Sequence, residues 1–142
     1  MDTLFLDTNV VIDLLGEREE FYDPIAKIVS LADKGKIKLT VSALTYSTVF
    51  YVLSCFESKE IVKEKIRKFK TIAKTADLTN NIIDKALSSK FGDFKDALQY
   101  FCALKTGSSI IITRNEKDFK LSEIPVFNPD AYLCKLRSNH ER

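Results

Sequence analysis

Short apolar runs alternate with longer amphipathic stretches along the whole chain. Residues 4–6 are apolar without alternation, which predicts a strand buried on both faces of a parallel sheet. Residues 109–113 contain a second run of this kind, and three weaker runs complete the set. The predicted strands are residues 4–6, 38–41, 72–76, 109–113 and 126–127.

Capping residues mark the ends of the helices between these strands. Thr8 or Asn9 can cap a short first helix, and Asp23 with the proline after it predicts a second helix at residues 24–34. Ser42 is predicted to cap a third helix, which is apolar around most of its girth and therefore belongs inside the molecule. Further helices are predicted from Ser58, from Thr79, from Asp93 and after Pro129.

Strands that alternate with helices predict a three-layer α/β sandwich, with a five-stranded parallel sheet flanked by helices. The helix after Asp93 should bury the face that carries its apolar positions 94, 97, 98, 101 and 104. A chain of this length buries roughly two-thirds of the surface that it exposes when unfolded. We expect a single domain over residues 1–136 and a polar tail over residues 137–142.

The composition excludes several classes of protein. The 22 basic and 20 acidic side chains give a formal charge of +2, so whole-chain charge favours no particular partner. Cys55, Cys102 and Cys134 are widely spaced in apolar stretches, which predicts reduced thiols in the core of a cytoplasmic protein. Neither a signal peptide nor an apolar run of the ~20 residues needed to span a membrane is present, so we expect no membrane association.

Four acidic side chains are predicted to meet at one edge of the sheet. Asp7 follows the first strand, Asp118 follows the fourth, and Asp93 and Asp96 open the helix that leads into the fourth. Parallel strands end at the same edge, and a crossover helix begins there. This edge is also where ligands bind in open α/β sheets.

Such a cluster requires a cation. Two carboxylates ~4 Å apart repel by about 4 kcal/mol at an effective dielectric constant near 20, so four cannot all stay ionised without neutralisation. The chain has one histidine, His140 in the predicted tail, and no paired cysteines. Oxygen ligands alone favour Mg²⁺ or Mn²⁺.

These residues resemble the PIN domains, a family of metal-dependent nucleases that includes the VapC-type toxins of bacterial toxin-antitoxin modules. The resemblance lies in residues 6–14, 41–45, 96–98 and 111–115, and in the Asp118-Phe119 pair. It implies the same five-stranded sheet, an acidic Mg²⁺ or Mn²⁺ pocket, and hydrolysis of single-stranded RNA that leaves a 5′-phosphate. It also implies a homodimer and a small antitoxin protein as partners.

The family's acids can be carried over one by one. Asp7 matches the first acid, and Asp96 the acid of the late helix, with Asp93 a second candidate. Thr48 stands where the family usually has a glutamate in the third helix, and Asn115 stands where the fourth acid is common. Asp118 is the nearest replacement for that fourth acid.

Other residues should surround the metal ligands. Thr8, Asn9, Thr48, Thr113 and Asn115 are expected to line the pocket. Arg114, Lys95 and Lys117 are the basic candidates for gripping RNA. The helix from Ser58 is lysine-rich and is interpreted as a solvated face, with ion pairs such as Glu64 with Lys68.

Each acid also has a purely structural interpretation. Asp93 and Asp96 fit a helix cap and a first-turn acid that the helix dipole stabilises. Asp7 could cap the first helix, and Asp13 is interpreted as a helix-surface acid. Thr48 can bond back to a carbonyl of its own helix, and Asp118 could be a loop residue.

Three functions are compatible with these residues. The first is an endoribonuclease in which Asp7, Asp96 and Asp93 hold the metal and Asp118 completes the catalytic site. The second is a catalytically weak or inactive PIN-fold module that binds nucleic acid, because the third helix lacks its acid. The third is a phosphotransferase of the haloacid dehalogenase class, which would need an aspartate at position 9.

Overall fold

The strands form one parallel sheet in a computed structural model of the protein, which describes residues 1–140. Their order across the sheet is β3-β2-β1-β4-β5, and each neighbouring pair is parallel. The first strand therefore lies at the centre, as expected for an apolar run without alternation. The strands are β1 (Thr3–Leu6), β2 (Lys38–Ser42), β3 (Ala73–Ala76), β4 (Ile110–Ile112) and β5 (Val126–Phe127).

Helices cover both faces of the sheet. Leu4 and Leu6 pack into one core with residues of α1 to α4 and α7, while Phe5 points into a second core with α5 and α6. The α/β sandwich of three layers is thus confirmed. The helices are α1 (Thr8–Leu15), α2 (Tyr22–Asp33), α3 (Ala43–Leu53), α4 (Lys59–Lys70), α5 (Asn80–Ser88), α6 (Phe94–Lys105) and α7 (Pro129–His140), with a 3₁₀ turn at Glu116–Phe119.

Most predicted caps are confirmed. The side chains of Ser42, Ser58, Thr79 and Asp93 each accept a backbone N–H in the first turn of the helix that follows. Two starts were predicted wrongly. Helix α2 begins before Asp23, so that the proline lies within its first turn, where a missing N–H costs nothing. The N-cap position of α1 is Asp7, with no capping bond from a side chain.

The buried faces of two helices differ from the prediction. Helix α3 is not enclosed, since it buries Thr45, Val49 and Leu53 while Tyr51 is 74% exposed. On α6, Phe94 and Leu104 are also largely exposed. Its buried face instead includes the polar residues Asp96 and Gln99, because α6 turns these towards the end of β1.

The remaining expectations concern the surface. Cys102 is buried as predicted, but Cys55 and Cys134 are exposed, so only one thiol belongs to the core. Helix α7 continues through residues 137–140 of the predicted tail, and residues 141–142 lie outside the described part of the chain. Within residues 1–140, none of the helices has the length and apolar character to cross a membrane.

Candidate active site

The site lies where the strand order reverses. Chain connections run from β1 to β2 on one side, while β4 pairs with β1 on the other. Asp7 is the first residue after β1, and its backbone N–H donates to the carbonyl of Ile112 at the end of β4 (2.9 Å). This switch point is the position at which open α/β sheets bind ligands.

Asp7 is held by neutral hydrogen-bond donors. The side chain is 2% exposed. Its Oδ1 accepts a hydrogen bond from Nε2 of Gln99 (2.7 Å), and its Oδ2 accepts one from the hydroxyl of Thr113 (2.7 Å). The ion pairs within residues 1–140 do not include Asp7. The carboxylate is therefore oriented by the protein without being neutralised by it.

Asp93 and Asp96 lie at the start of α6, beside this carboxylate. Oδ1 of Asp93 accepts the backbone N–H of Asp96 (3.0 Å), so Asp93 is a helix cap as its structural interpretation predicts. Asp93, Asp96 and Asp118 also line one cleft of about 240 Å³. The side chain of Asp93 therefore both caps α6 and lines the cleft.

The pKa of Asp96 reflects the charges of the acids around it. Burial raises its pKa most, and the neighbouring carboxylates of Asp7, Asp93 and Asp118 raise it further. Lys95 opposes them only in part, and the resulting pKa is about 7. The other three predicted acids therefore all act electrostatically on Asp96. Their roles as ligands or catalytic groups stay a prediction.

Neutral residues tie the site together. Thr113 is fully buried. Its hydroxyl oxygen also accepts hydrogen bonds from Nδ2 of Asn9 (3.4 Å) and from the backbone N–H of Asn115 (3.1 Å). The Oγ1 of Thr8 bonds to Oγ1 of Thr45 (2.9 Å). Thr48 is half-buried on α3 and takes no part in these bonds among the described residues.

Sequence reasoning missed Gln99. The residue is fully buried and lies one turn after Asp96 on α6, on the same side of the helix. It bonds both to Asp7 and to Thr8. A signal was present in the sequence, because Gln99 is the one amide in the otherwise apolar stretch of residues 97–104.

Arg114 lies apart from the acidic cleft. Its Nε donates to Oδ2 of Asp13 (2.5 Å), and its guanidinium stacks 4.1 Å from the ring centroid of Phe21. Asp13 is 1% exposed, so its interpretation as a surface acid was wrong. Burial raises the pKa of Asp13, although Arg114 and Arg18 lower it. This acid is paired within the protein.

The two lysines predicted beside Arg114 have different positions. Lys117 lines the acidic cleft together with Asp93, Asp96 and Asp118. Lys95 is exposed on the first turn of α6 and acts on Asp96 through its charge. On α4, the predicted pair of Glu64 with Lys68 is replaced by a 2.6 Å pair of Glu64 with Arg67.

The donor set suits a hard cation with few protein ligands. Within residues 1–140, no three histidine, cysteine, aspartate or glutamate side chains are grouped closely enough to enclose a metal ion. Asp96 nevertheless lines the acidic cleft, and Asp7 is close enough to act on it through its charge. Mg²⁺ is commonly held in this way, by one or two carboxylates with several waters retained.

An open parallel α/β domain with an acidic cleft at its switch point defines a recognisable class of protein. Residues 3–117 match the family described as the PIN domain, and the chain belongs to that family. The resemblance seen in the sequence is thereby confirmed.

Individual relatives agree with this assignment. The chain is 26% identical over 136 residues to the protein named Ribonuclease VapC1 from Aquifex aeolicus (strain VF5), covering 92% of this chain and 93% of the relative. The fold of this chain is similar to that of VapBC2 from Rickettsia felis bound to a DNA fragment from their promoter. The TM-score is 0.66 and the identity 18%, over 89% of this chain and 98% of that chain. A toxin-antitoxin complex from Klebsiella pneumoniae is similar too (TM-score 0.65, 22% identity, 89% and 97%).

Proposed function

We propose that the protein is an endoribonuclease that requires Mg²⁺ or Mn²⁺ and hydrolyses phosphodiester bonds of single-stranded RNA. The observation that carries this proposal is the cluster of Asp7, Asp93, Asp96 and Asp118 at the switch point, where the hydrogen-bond partners of the Asp7 side chain within residues 1–140 are neutral. A cluster of this kind is most stable with a divalent cation.

Asp7 and Asp96 are the residues that would hold the ion, with Asp93 as a further ligand, and Asp118 completes the catalytic site. When bound, a divalent ion neutralises charge on the phosphate and lowers the pKa of a water. The side chains of Gln99 and Thr113 orient the carboxylate of Asp7 through one hydrogen bond to each of its oxygens. Asp96, with a pKa of about 7, exchanges its proton near neutral pH.

Basic residues at the cleft would bind the RNA backbone. Lys117 lines the cleft and Lys95 acts on Asp96 through its charge, which supports the proposal that both contact phosphates flanking the scissile bond. Arg114 is a weaker candidate because Asp13 holds its guanidinium. Thr48 and Asn115 would line the same pocket.

The relatives support a toxin of a toxin-antitoxin module as the biological setting. The names Ribonuclease VapC1 and VapBC2 belong to such systems, and we extend them to this chain as a proposal. A small antitoxin, a homodimer and a cytoplasmic location follow from the same proposal. The three cysteines, all free, are consistent with a reducing compartment.

The decisive experiment measures cleavage of a fluorescently labelled single-stranded RNA of mixed sequence in Mn²⁺, in Mg²⁺ and in EDTA. We expect cleavage with either ion, products with a 5′-phosphate, and no cleavage in EDTA. Asp7→Asn and Asp96→Asn should abolish the activity. Asp33→Asn is the matched control, because Asp33 is an exposed acid near Thr3 and Lys38, at the opposite edge of the sheet.

One observation favours a second function. Helix α3 contains no acid, and its Thr48 is half-buried, while no enclosed three-ligand group exists within residues 1–140. The chain would then be a PIN-fold module that binds nucleic acid without cutting it. RNA binding with no metal-dependent cleavage in the same assay would establish this alternative.

A further inference from the structure

We infer that Gln99 is a positioning residue that orients the carboxylate of Asp7 for metal binding, an inference that rests on the proposed function. The side-chain amide is fully buried and bridges two elements that are distant in sequence. Nε2 donates to Oδ1 of Asp7 (2.7 Å), while Oε1 accepts both the backbone N–H (2.9 Å) and the hydroxyl (3.0 Å) of Thr8.

The orientation of this amide follows from chemistry. A carboxylate can only accept and a backbone N–H can only donate, so the Gln99 nitrogen must face Asp7 and its oxygen must face Thr8. The reversed amide would place two acceptors together and two donors together. Because the hydroxyl of Thr8 donates to Gln99, the hydroxyl of Thr45 must donate to Thr8.

Thr113 completes the orientation from the other side. Its only hydroxyl hydrogen is directed at Oδ2 of Asp7, since Asn9 and Asn115 already donate to its oxygen. Both oxygens of Asp7 thus receive one short bond each, and the carboxylate cannot rotate without breaking both. Each oxygen keeps a further lone pair, which is what a metal ligand requires.

A purely structural role would leave a different trace. A buried amide that only fills the core and satisfies polar groups would contribute to folding without changing the affinity of the site for a cation. A partner that orients a ligand typically changes metal affinity or activity by roughly 10- to 100-fold when it is mutated. Metal affinity in a folded variant therefore separates the two roles.

The experiment compares Gln99→Met with Tyr132→Phe in the full-length protein. Tyr132 is an apt control because it is fully buried and its hydroxyl donates to a carboxylate oxygen, Oδ2 of Asp2, at the same 2.7 Å. Asp2 directly precedes β1, at the opposite end from Asp7. Three quantities are measured for each variant. Urea unfolding gives its stability, electron paramagnetic resonance gives its Kd for Mn²⁺ alone, and a binding assay in EDTA gives its affinity for RNA.

We expect Gln99→Met to raise the Kd for Mn²⁺ by about 10-fold or more, with RNA binding in EDTA unchanged. Tyr132→Phe should leave the Kd for Mn²⁺ unchanged. If Gln99→Met does not fold, Gln99→Asn serves, because the shorter amide cannot reach Asp7 and Thr8 together.

Two results would overturn the inference in different ways. An unchanged Kd for Mn²⁺ in a folded Gln99 variant, with Mn²⁺ bound normally by the wild type, would overturn the role of Gln99 alone. Absence of Mn²⁺ binding by the wild-type protein would overturn the proposed function together with it.

Discussion

Two buried aspartates at the start and near the end of α1 differ in how their charges are compensated. Asp7 is 2% exposed and is bonded by the neutral side chains of Gln99 and Thr113. Asp13 is 1% exposed and is paired with Arg114, while Arg18 lies 3.8 Å away. The protein therefore supplies a counter-charge to Asp13, whereas the ion pairs within residues 1–140 provide none to Asp7.

The location of the two acids explains this difference. Asp13 faces inward from α1, towards the loop that follows β4, where an arginine can close the gap. Asp7 lies at the strand end, next to Asp96 and the other acids of the cleft. Burial alone is a poor indicator of a functional acid. Burial without a cationic partner in the protein is a better indicator.

The largest expected effect comes from Asp7→Asn. We expect cleavage of single-stranded RNA in Mn²⁺ to fall by at least about 100-fold, since the variant lacks a proposed metal ligand. The free energy of unfolding measured in urea without metal should change little, because the removal of one of several repelling charges is offset by the loss of one of the two hydrogen bonds that Asp7 accepts. Asp33→Asn should change neither quantity. Retained cleavage in a folded Asp7→Asn variant would contradict the proposed role of Asp7.

Asp13→Asn should have the opposite profile. The change leaves the guanidinium of Arg114 half-buried without its carboxylate, which we expect to lower the free energy of unfolding by about 2–3 kcal/mol. The affinity for Mn²⁺ should not change, since Asp13 lines a different cleft from that of Asp96. Urea unfolding and Mn²⁺ titration check the two parts. A weakened Mn²⁺ site in a stable variant would contradict the separation of the two centres.

The sequence predicted the position of Asp7 at the end of β1 because the evidence for that position is local. An unbroken apolar strand that ends in a carboxylate defines its position at the edge of the sheet, and Asp96 follows from the start of a crossover helix. Fold and edge could therefore be deduced before any contact was known. The partner of each acid could not be deduced, since those contacts join residues 92 to 106 positions apart.

Asp13 and Gln99 show the limit of periodicity. Helix α1 has only eight residues, and its polar Asp13 was assigned to the surface because an acid is rarely buried. The buried face of α6 was placed on its apolar positions, which left Gln99 unassigned and put Phe94 and Leu104 inside wrongly. In both helices a polar residue is buried because it bonds to another element, which an apolar pattern does not reveal.

The stability of the metal-free protein should depend on pH through the acidic cleft. Asp96 has a pKa of about 7 in the folded state against an ordinary value of 3.8, so the folded state binds more protons between these values. Its contribution to stability is therefore fully present at low pH and is lost as pH rises towards 7. We expect a decrease of about 2 kcal/mol between pH 5 and pH 7 from this group.

Urea unfolding in EDTA at several pH values checks this dependence. Asp96→Asn should flatten it, while Asp33→Asn should not. Saturating Mn²⁺ should also flatten it, because a bound cation favours the ionised carboxylates. A slope that is unaffected by both Asp96→Asn and Mn²⁺ would assign the pH dependence to another group, with Asp13 the next to test because burial raises its pKa as well.

We expect the smallest effect from substitutions of the basic residues. These substitutions compare the acidic cleft directly with the pair of Asp13 and Arg114. Lys117 lines the acidic cleft, whereas Arg114 is held by Asp13. If Lys117 contacts one RNA phosphate, Lys117→Ala should weaken binding only modestly and reduce the slope of log K against log salt by about 0.7, the value for one phosphate of a single strand. Fluorescence anisotropy in EDTA over a range of salt concentrations measures that slope.

Lys34→Ala is the control, because Lys34 is an exposed lysine at the end of α2, next to Asp33. An unchanged slope in Lys117→Ala, with a reduced one in a folded Arg114→Ala variant, would mean that RNA follows the Asp13 side of the sheet edge.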